Sequence, residues 1–290
     1  MENTKRMAKR IGRKRFSMDI ESTVPQILLI AFMVLQLILA LLPIFITINL
    51  SFKDAVGIQA TTVWSLPQVW KFENYATAFN GMISYELNSI FIVTVSTVLV
   101  IFIACYIAYL FVRKEFPLKS ILFFIIILPM LIPSVITLTP SYLVVFNLGL
   151  KGSWGGLILY YLAGSQIANI FMLRVFLNQQ PADLYETARI DGDSDIGIFF
   201  HLCLPLSFPI MMVQAIGIFG GLYNDYLWPL LMFNGGSKST LMPVLQQVSD
   251  RMADGSKYAA YLISGIPLII TTVVSLKFFV NGEFASGLKI

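Results

Sequence analysis

The sequence predicts an all-α membrane protein with six transmembrane helices and a cytoplasmic helix–turn–helix loop. Of its 290 residues, 57% are hydrophobic and 12% are charged, whereas a soluble domain has roughly 45–50% apolar and about 25% charged residues. The apolar residues also form continuous stretches close to or beyond the roughly 20 residues that a helix needs to cross a bilayer. A transmembrane β-barrel would instead show segments of about ten residues with alternating hydrophobicity. Both a soluble fold and a barrel are therefore disfavoured.

The apolar runs predict where the six helices lie. They cover residues 25–50, 87–112, 120–146, 155–177, 205–233 and 258–280. Helix-breaking residues occur in two of the runs. These are Pro129, Pro133 and Pro140 in the third, and Pro209, Gly217, Gly220, Gly221 and Pro229 in the fifth. Because broken backbone survives in a membrane only beside other helices or a water-filled cavity, these two spans are predicted to be kinked or broken and to line a pathway.

Basic residues indicate the orientation of the chain. They precede the first span as Lys5, Arg6, Lys9, Arg10, Arg13, Lys14 and Arg15, and they follow the second as Arg113, Lys114 and Lys119. Lys and Arg collect on the cytoplasmic side of short loops, so both regions should be cytoplasmic. With six spans, both termini are then predicted to be cytoplasmic. The first span is too long for a removable signal peptide and is expected to remain as an anchor.

The chain therefore divides into three parts. Residues 1–20 form a basic cytoplasmic arm, residues 21–280 a six-helix membrane domain that includes a loop at 178–205, and residues 281–290 a cytoplasmic tail. Much of the net charge of +4 lies in the arm, beside a membrane span, so lipid headgroups rather than nucleic acid are the expected partner. The single histidine, His201, and two cysteines without metal-ligand spacing give no basis for a metal site.

Local sequence chemistry predicts the helix–turn–helix within the 178–205 loop. Pro181 and Asp183 are typical of the first turn of a helix, and Gly192 is placed to end that helix with a positive φ. Ser194 is placed to cap a second short helix that ends at Pro205, where the fifth span begins. Helices of about ten residues are marginal alone, so this segment should pack against a partner.

The spacing within this loop resembles that of the permease subunits of binding-protein-dependent ABC importers. Their cytoplasmic loop reads Glu-Ala-Ala, three residues, Gly, nine residues, Ile, one residue, Leu-Pro. The matching positions here are Glu186, Thr187, Ala188, Gly192, Leu202, Leu204 and Pro205. Thr187 and Leu202 depart from that pattern. The resemblance implies the type I importer permease fold in a bacterial or archaeal cytoplasmic (inner) membrane.

The resemblance also implies partners. In the family this loop docks on the ATPase subunits, a role carried here to Glu186, Thr187, Ala188, Asp191, Gly192, Leu204 and Pro205. The implied complex contains a second homologous permease, two ATPase subunits and an extracytoplasmic solute-binding protein. ATP and Mg²⁺ would bind to the ATPases, and this chain would hold no cofactor. Its own Gly235–Thr240 run fails the phosphate-loop pattern, with Leu231 where that pattern needs Gly and Ser237 where it needs Lys.

Further segments resemble carbohydrate permeases, particularly the smaller permease of maltose-type importers. They include Asn224–Leu230 and the last residues, Phe279–Ile290. The resemblance implies a sugar or oligosaccharide as cargo. It also implies that the tail contacts the ATPases through Asn281, Gly282, Gly287 and Lys289. The chain is accordingly expected to be a transporter subunit without catalytic residues.

Polar residues in or beside the broken spans are candidates for the pathway. They are Asn147, Tyr223, Asn224 and Asp225. A carboxylate in an apolar span usually faces a cavity or a partner, but Asn224 and Asp225 could equally hold a helix break together. Two other classes of function remain open: a secondary transporter that uses Asp225 as an ion site, and a membrane-embedded enzyme, for which no catalytic constellation is evident.

Overall fold

The computed structural model describes the backbone of residues 23–286 and the side chains of residues 25–276. Within this part the chain is helical, without a β-strand. The helices are α1 (Thr23–Ser51), α2 (Ala55–Ala60), α3 (Glu73–Arg113), α4 (Lys119–Ile127), α5 (Ser134–Asn147), α6 (Trp154–Gln179), α7 (Ala182–Ile190), α8 (Asp195–Ile198), α9 (Leu204–Tyr223), α10 (Leu227–Phe233), α11 (Leu241–Asp250) and α12 (Asp254–Ser286). The predicted arm at 1–20 lies outside the described residues.

The expected membrane helices are present, and the third is broken as predicted. Five helices are long and apolar enough to cross a membrane, and six spans result if α4 and α5 count as one. Between these two helices the chain forms a 3₁₀ turn, Leu128–Leu131, and then bends by 107° at Ile132 and Pro133. Proline causes the break because it has no N–H to donate and restricts the residue before it to extended backbone.

The fifth span is broken as predicted, but its helix begins earlier than its predicted start. Within the run 205–233, α9 ends at Tyr223 and α10 begins only at Leu227. The second short helix was expected to end at Pro205. Instead, α8 continues through one π-helical turn, Phe199–Cys203, directly into α9. Pro205 does not end this helix: it lies just after the π-helical turn, where the hydrogen-bond pattern is irregular and a residue without an N–H is more easily accommodated.

Helix α3 lies at the centre of the fold. It packs against α6, α9, α11 and α12, whereas α1 packs mainly on α12 and has no buried residue in its most apolar window. At 41 residues, α3 is roughly 60 Å long and extends well beyond the hydrocarbon. It begins at Glu73 rather than at residue 87 because its first turns are buried through Ala78 and Met82, which pack against α11 and α12.

A buried hydrogen-bond network ties α3, α9 and α12 together. The Tyr223 hydroxyl lies 2.7 Å from Glu86 Oε1 and 2.8 Å from the Ser264 carbonyl oxygen, and its single proton is shared between these two acceptors. Tyr223 is 1% exposed and Glu86 is 5% exposed. Because buried polar groups are costly without partners, this hydroxyl fixes the relative positions of the three helices.

Removing the Tyr223 hydroxyl should therefore destabilise the protein. In Tyr223→Phe, the Glu86 carboxyl and the Ser264 carbonyl lose their shared donor, and we expect a loss of about 1–3 kcal/mol in the free energy of unfolding. Thermal unfolding in detergent measures it. Tyr226→Phe is the matched control, because Tyr226 is 53% exposed and its loss should have little effect. Equal unfolding temperatures for the two variants would contradict the structural role of the network.

Candidate functional site

The turn after α7 adopts the geometry that its glycine predicts. Gly192 has φ +88°, a conformation that glycine adopts without strain and that asparagine adopts more readily than other residues. Its N–H donates to the Arg189 carbonyl at 3.2 Å, and the Asp193 N–H donates to the Ala188 carbonyl at 3.1 Å. This pair of bonds is the Schellman motif, which satisfies the last carbonyls of a helix. The chain can therefore reverse direction immediately after α7.

The second short helix begins as predicted and is bound to the end of α3. The Ser194 hydroxyl accepts a hydrogen bond of 3.1 Å from the Gly197 N–H, which makes Ser194 the N-cap of α8. The Asp195 carboxylate forms an ion pair with Lys114. The Asp195 carbonyl accepts a hydrogen bond of 3.1 Å from the Tyr109 hydroxyl. Tyr109 of α3 and Lys114, the residue that follows α3, thus hold the first residue of α8.

Arg113, one turn beyond Tyr109, holds α7 in the same way. Its guanidinium Nη2 donates to the carbonyl oxygens of Leu177 and Gln180, both at 2.8 Å, which caps the end of α6. The same guanidinium lies 3.9 Å from the centre of the Tyr185 ring. Tyr185 is 3% exposed, and its hydroxyl donates to the Gln180 side chain. Burial raises the pKa of Tyr185 above its usual value, so the hydroxyl keeps its proton.

These contacts bury one side of the helix–turn–helix and leave the other side uncovered. Apolar side chains of this segment that remain exposed are Leu184 at 45%, Ile190 at 85%, Ile196 at 62% and Phe200 at 46%. We call these four residues the apolar patch. They are available for contact with a partner protein.

The predicted docking residues lie on or beside this segment. Glu186, Thr187, Asp191 and Gly192 are exposed, and Ala188 packs partly against the core below. The Thr187 hydroxyl donates to the Asp183 carbonyl at 2.8 Å, which satisfies its polar group within α7. Leu204 and Pro205 lie further along, at the start of α9. The tail residues Asn281 and Gly282 continue α12, whereas Gly287 and Lys289 lie outside the described residues.

Asp225 organises the break between α9 and α10. Its Oδ1 accepts hydrogen bonds from the N–H groups of Leu227 at 3.0 Å and Trp228 at 3.4 Å. Its Oδ2 accepts one from the Tyr161 hydroxyl at 2.9 Å. The carboxylate therefore caps α10 and joins it to α6. This is the structural alternative in the sequence analysis, in which Asp225 helps to hold a helix break together.

The same carboxylate also lines a cavity. The cavity has a volume of about 350 Å³ and lies between α6, the end of α9 and the start of α10. Its lining residues are Tyr160, Tyr161, Gly164, Ser165, Gly221, Leu222, Asp225 and Trp228. The rings of Tyr160 and Trp228 are stacked, with centroids 3.4 Å apart and planes at 22°. Aromatic, hydroxyl and carboxylate groups thus face one open space.

The other predicted pathway residues do not line this cavity. Tyr223 is buried in the network with Glu86, and Asn224 is exposed, with its amide donating to the Gly220 carbonyl at 2.8 Å. Asn147 lies at the exposed end of α5. Of the four candidates, only Asp225 lines the cavity with the aromatic residues.

The sequence alone did not reveal several residues that hold these elements in place. Arg113 and Lys114 served only to orient the chain, while Tyr109 and Glu86 were not singled out. Arg113 and Tyr185 are far apart in sequence, so no local pattern reveals their contact. Glu86 had a usable signal, because a carboxylate beside an apolar run must be paired or solvated.

A family model described as the inner membrane component of binding-protein-dependent transport systems matches residues 100–282. The diacetylchitobiose uptake system permease protein NgcG of Streptomyces coelicolor is 30% identical over 84% of this chain and 82% of its own length. The arabinooligosaccharides transport system permease protein AraQ of Bacillus subtilis is 28% identical over 92% and 97%.

The fold also matches a solved structure. A chain of a bacterial ABC transporter involved in the import of the acidic polysaccharide alginate superposes with a TM-score of 0.78 at 22% sequence identity. The match covers 89% of this chain and 98% of that chain. The helical architecture is therefore that of an importer's membrane domain.

Helix α7 should loosen when its buried anchor is removed. Tyr185→Ala loses the ring beneath Arg113, and because truncation of a buried aromatic residue costs roughly 3–5 kcal/mol, amide exchange at residues 182–190 should accelerate at least about tenfold. Hydrogen exchange with mass spectrometry measures this. Leu184→Ala, at the exposed neighbouring position, should leave exchange nearly unchanged. Similar rates in Tyr185→Ala and wild type would show that the Tyr185–Arg113 contact does not hold α7.

Proposed function

Because this chain belongs to the family of inner membrane components of binding-protein-dependent transport systems, we propose that it imports a sugar or oligosaccharide by alternating access, driven by separate ATPase subunits. The chain is a multi-pass membrane protein and the permease subunit of an ABC importer. The proposal concerns its cargo, its partners and the residues that couple it to ATP hydrolysis.

The anchored helix–turn–helix is the observation that carries the proposal. Tyr109, Arg113 and Lys114 hold helix α7 and the start of α8, and the apolar patch of this segment remains exposed. A segment held in this way transmits force, because movement of a bound partner must also move α3, α6 and α9. Glu186, Thr187, Ala188, Asp191 and Gly192 would lie at that contact.

The partners follow from this arrangement. Two ATPase subunits would bind ATP and Mg²⁺ and would dock on the apolar patch of this chain and on the equivalent segment of a second, homologous permease. An extracytoplasmic solute-binding protein would deliver the cargo. The exposed apolar sides of α1 provide surface for membrane lipid and for the second permease.

Topology and cargo complete the proposal. With the helix–turn–helix in the cytoplasm, both termini would also be cytoplasmic, and the tail from Asn281 to Lys289 would approach the ATPases. The names of the relatives specify diacetylchitobiose and arabinooligosaccharides, which supports a saccharide cargo here. A secondary transporter with Asp225 as its ion site is less well supported, because the matching family and the relatives are components of binding-protein-dependent transport systems.

Purification of the tagged chain from its host in mild detergent tests the assembly. We expect mass spectrometry to identify a second permease and an ATPase, and the complex reconstituted with its binding protein should take up saccharides only with ATP. If the chain alone transports in liposomes without ATP, the importer assignment is wrong.

Substitution at Gly192 tests the coupling role. Gly192→Pro cannot adopt φ +88°, because proline fixes φ near −65°. The turn after α7 should therefore be lost, and uptake should fall at least about tenfold. Gly192→Asn is the matched control, since asparagine tolerates positive φ, and it should retain most of the uptake. Equal uptake and equal ATP hydrolysis in the two variants would contradict the coupling role.

A further inference from the structure

The cavity beside the α9–α10 break is open at the surface of the chain. Asp225 is partly exposed there, and a carboxylate facing lipid would be costly, so membrane carboxylates face cavities or partners. Two glycines widen the opening. A Cβ placed on Gly164 or on Gly221 would meet no atom of the chain within 4 Å. The cavity is thus an open, partly polar recess within the apolar part of the protein.

Its chemistry is that of a carbohydrate site. A sugar ring presents C–H groups on its faces and hydroxyl groups at its edges. The Tyr160 ring, supported from behind by Trp228, offers an aromatic wall for the C–H face. The Ser165 hydroxyl and the Asp225 carboxylate lie around the same space as hydrogen-bonding groups. A few fixed polar groups on an otherwise apolar wall are typical of small-ligand pockets.

Asp225 keeps capacity to bind a ligand. A carboxylate has about four acceptor positions, and the three hydrogen bonds described above occupy two on Oδ1 and one on Oδ2. One position on Oδ2 therefore remains for a sugar hydroxyl, and hydrogen bonds to an ionised acceptor are stronger than neutral ones. The capping hydrogen bonds also fix the carboxylate, so ligand binding does not lose free energy by ordering this side chain.

We propose that this cavity is a binding subsite for an uncharged sugar ring on its way through the membrane. The proposal rests on the proposed function and adds that this subunit itself contacts the cargo. The cavity volume of about 350 Å³ is near the lower end of the roughly 300–1,000 Å³ range for small-ligand pockets. It fits a short part of a chain rather than a whole oligosaccharide.

The charge of the lining selects the class of sugar. Among the residues that line the cavity there is one carboxylate and no Lys or Arg. An acidic sugar would bring a second negative charge close to Asp225 without a cation to offset it, and like charges in a poorly solvated site repel strongly. Neutral sugars and N-acetylated amino sugars avoid this repulsion.

Substitutions that fill the cavity provide the test. Gly164→Leu and Gly221→Leu project into open space and replace glycine with a good helix former, so the helices should be retained. Tyr160→Leu removes the aromatic wall, whereas Tyr160→Phe keeps it. Gly155→Leu is the control, because Gly155 is on the same helix with equally open surroundings but about two and a half turns away, on the opposite face.

The measurement is ATP-dependent uptake by the reconstituted complex with saturating binding protein. Radiolabelled diacetylchitobiose, arabinotriose and digalacturonate are the probes. We expect uptake to fall at least about tenfold in both glycine variants and in Tyr160→Leu. The reason is that the sugar would lose its contact with the aromatic ring or its hydrogen bond to the carboxylate. Tyr160→Phe and Gly155→Leu should keep most of it, and all variants should assemble and hydrolyse ATP in response to the binding protein.

Three results would overturn the subsite. One is uptake at the wild-type rate in all cavity variants, and another is efficient uptake of digalacturonate by the wild type. The third is failure of the glycine variants to assemble with their partners, since that would make the recess a subunit interface. If instead the wild-type complex moves no saccharide at all, the proposed function itself fails, which is a separate result.

Discussion

The guanidinium of Arg113 is the contact on which the rest of the arrangement depends. It lies at the end of the central helix, caps the carbonyl end of α6 and supports the Tyr185 ring of α7. Without it, the carbonyls of Leu177 and Gln180 would lose their side-chain donor, and the nine-residue helix α7 would lose the cation over its buried tyrosine. Tyr109 and Lys114 extend the same contact to α8. One end of one helix thus positions both arms of the helix–turn–helix.

Much of the fold could be predicted because its signals are local. The apolar runs, the proline at the bend, the glycine after α7 and the serine before α8 each act on their own few residues, and the structure has them as expected. The start of α3 could not be predicted from hydropathy. Its first turns carry the polar residues Glu73 and Asn74, yet Ala78 and Met82 are buried there by contacts with α11 and α12, which are distant in sequence.

In the candidate site, too, local signals could be read from the sequence and contacts between distant residues could not. Spacing alone predicts a docking role for Glu186 and Gly192, since the loop is a contiguous motif. The residues that hold that loop come from α3, and no pattern within the loop points to them. Asp225 was ambiguous from the sequence, because one carboxylate can cap a helix and line a cavity at once. The structure shows that it does both, and its capping bonds are what hold it at the cavity wall.

The uninterrupted helical stretch from Asp195 to Tyr223 has a mechanical consequence. Its 29 residues make a rod roughly 43 Å long, with the ion pair to Lys114 at one end and the break beside Asp225 at the other. A rod of this length amplifies small rotations. If the Asp195 end acts as a pivot, a tilt of about 10° displaces the far end by roughly 7 Å, more than one helical turn of rise. A slight rotation on one side of the membrane is therefore geometrically sufficient to open or close a recess on the other.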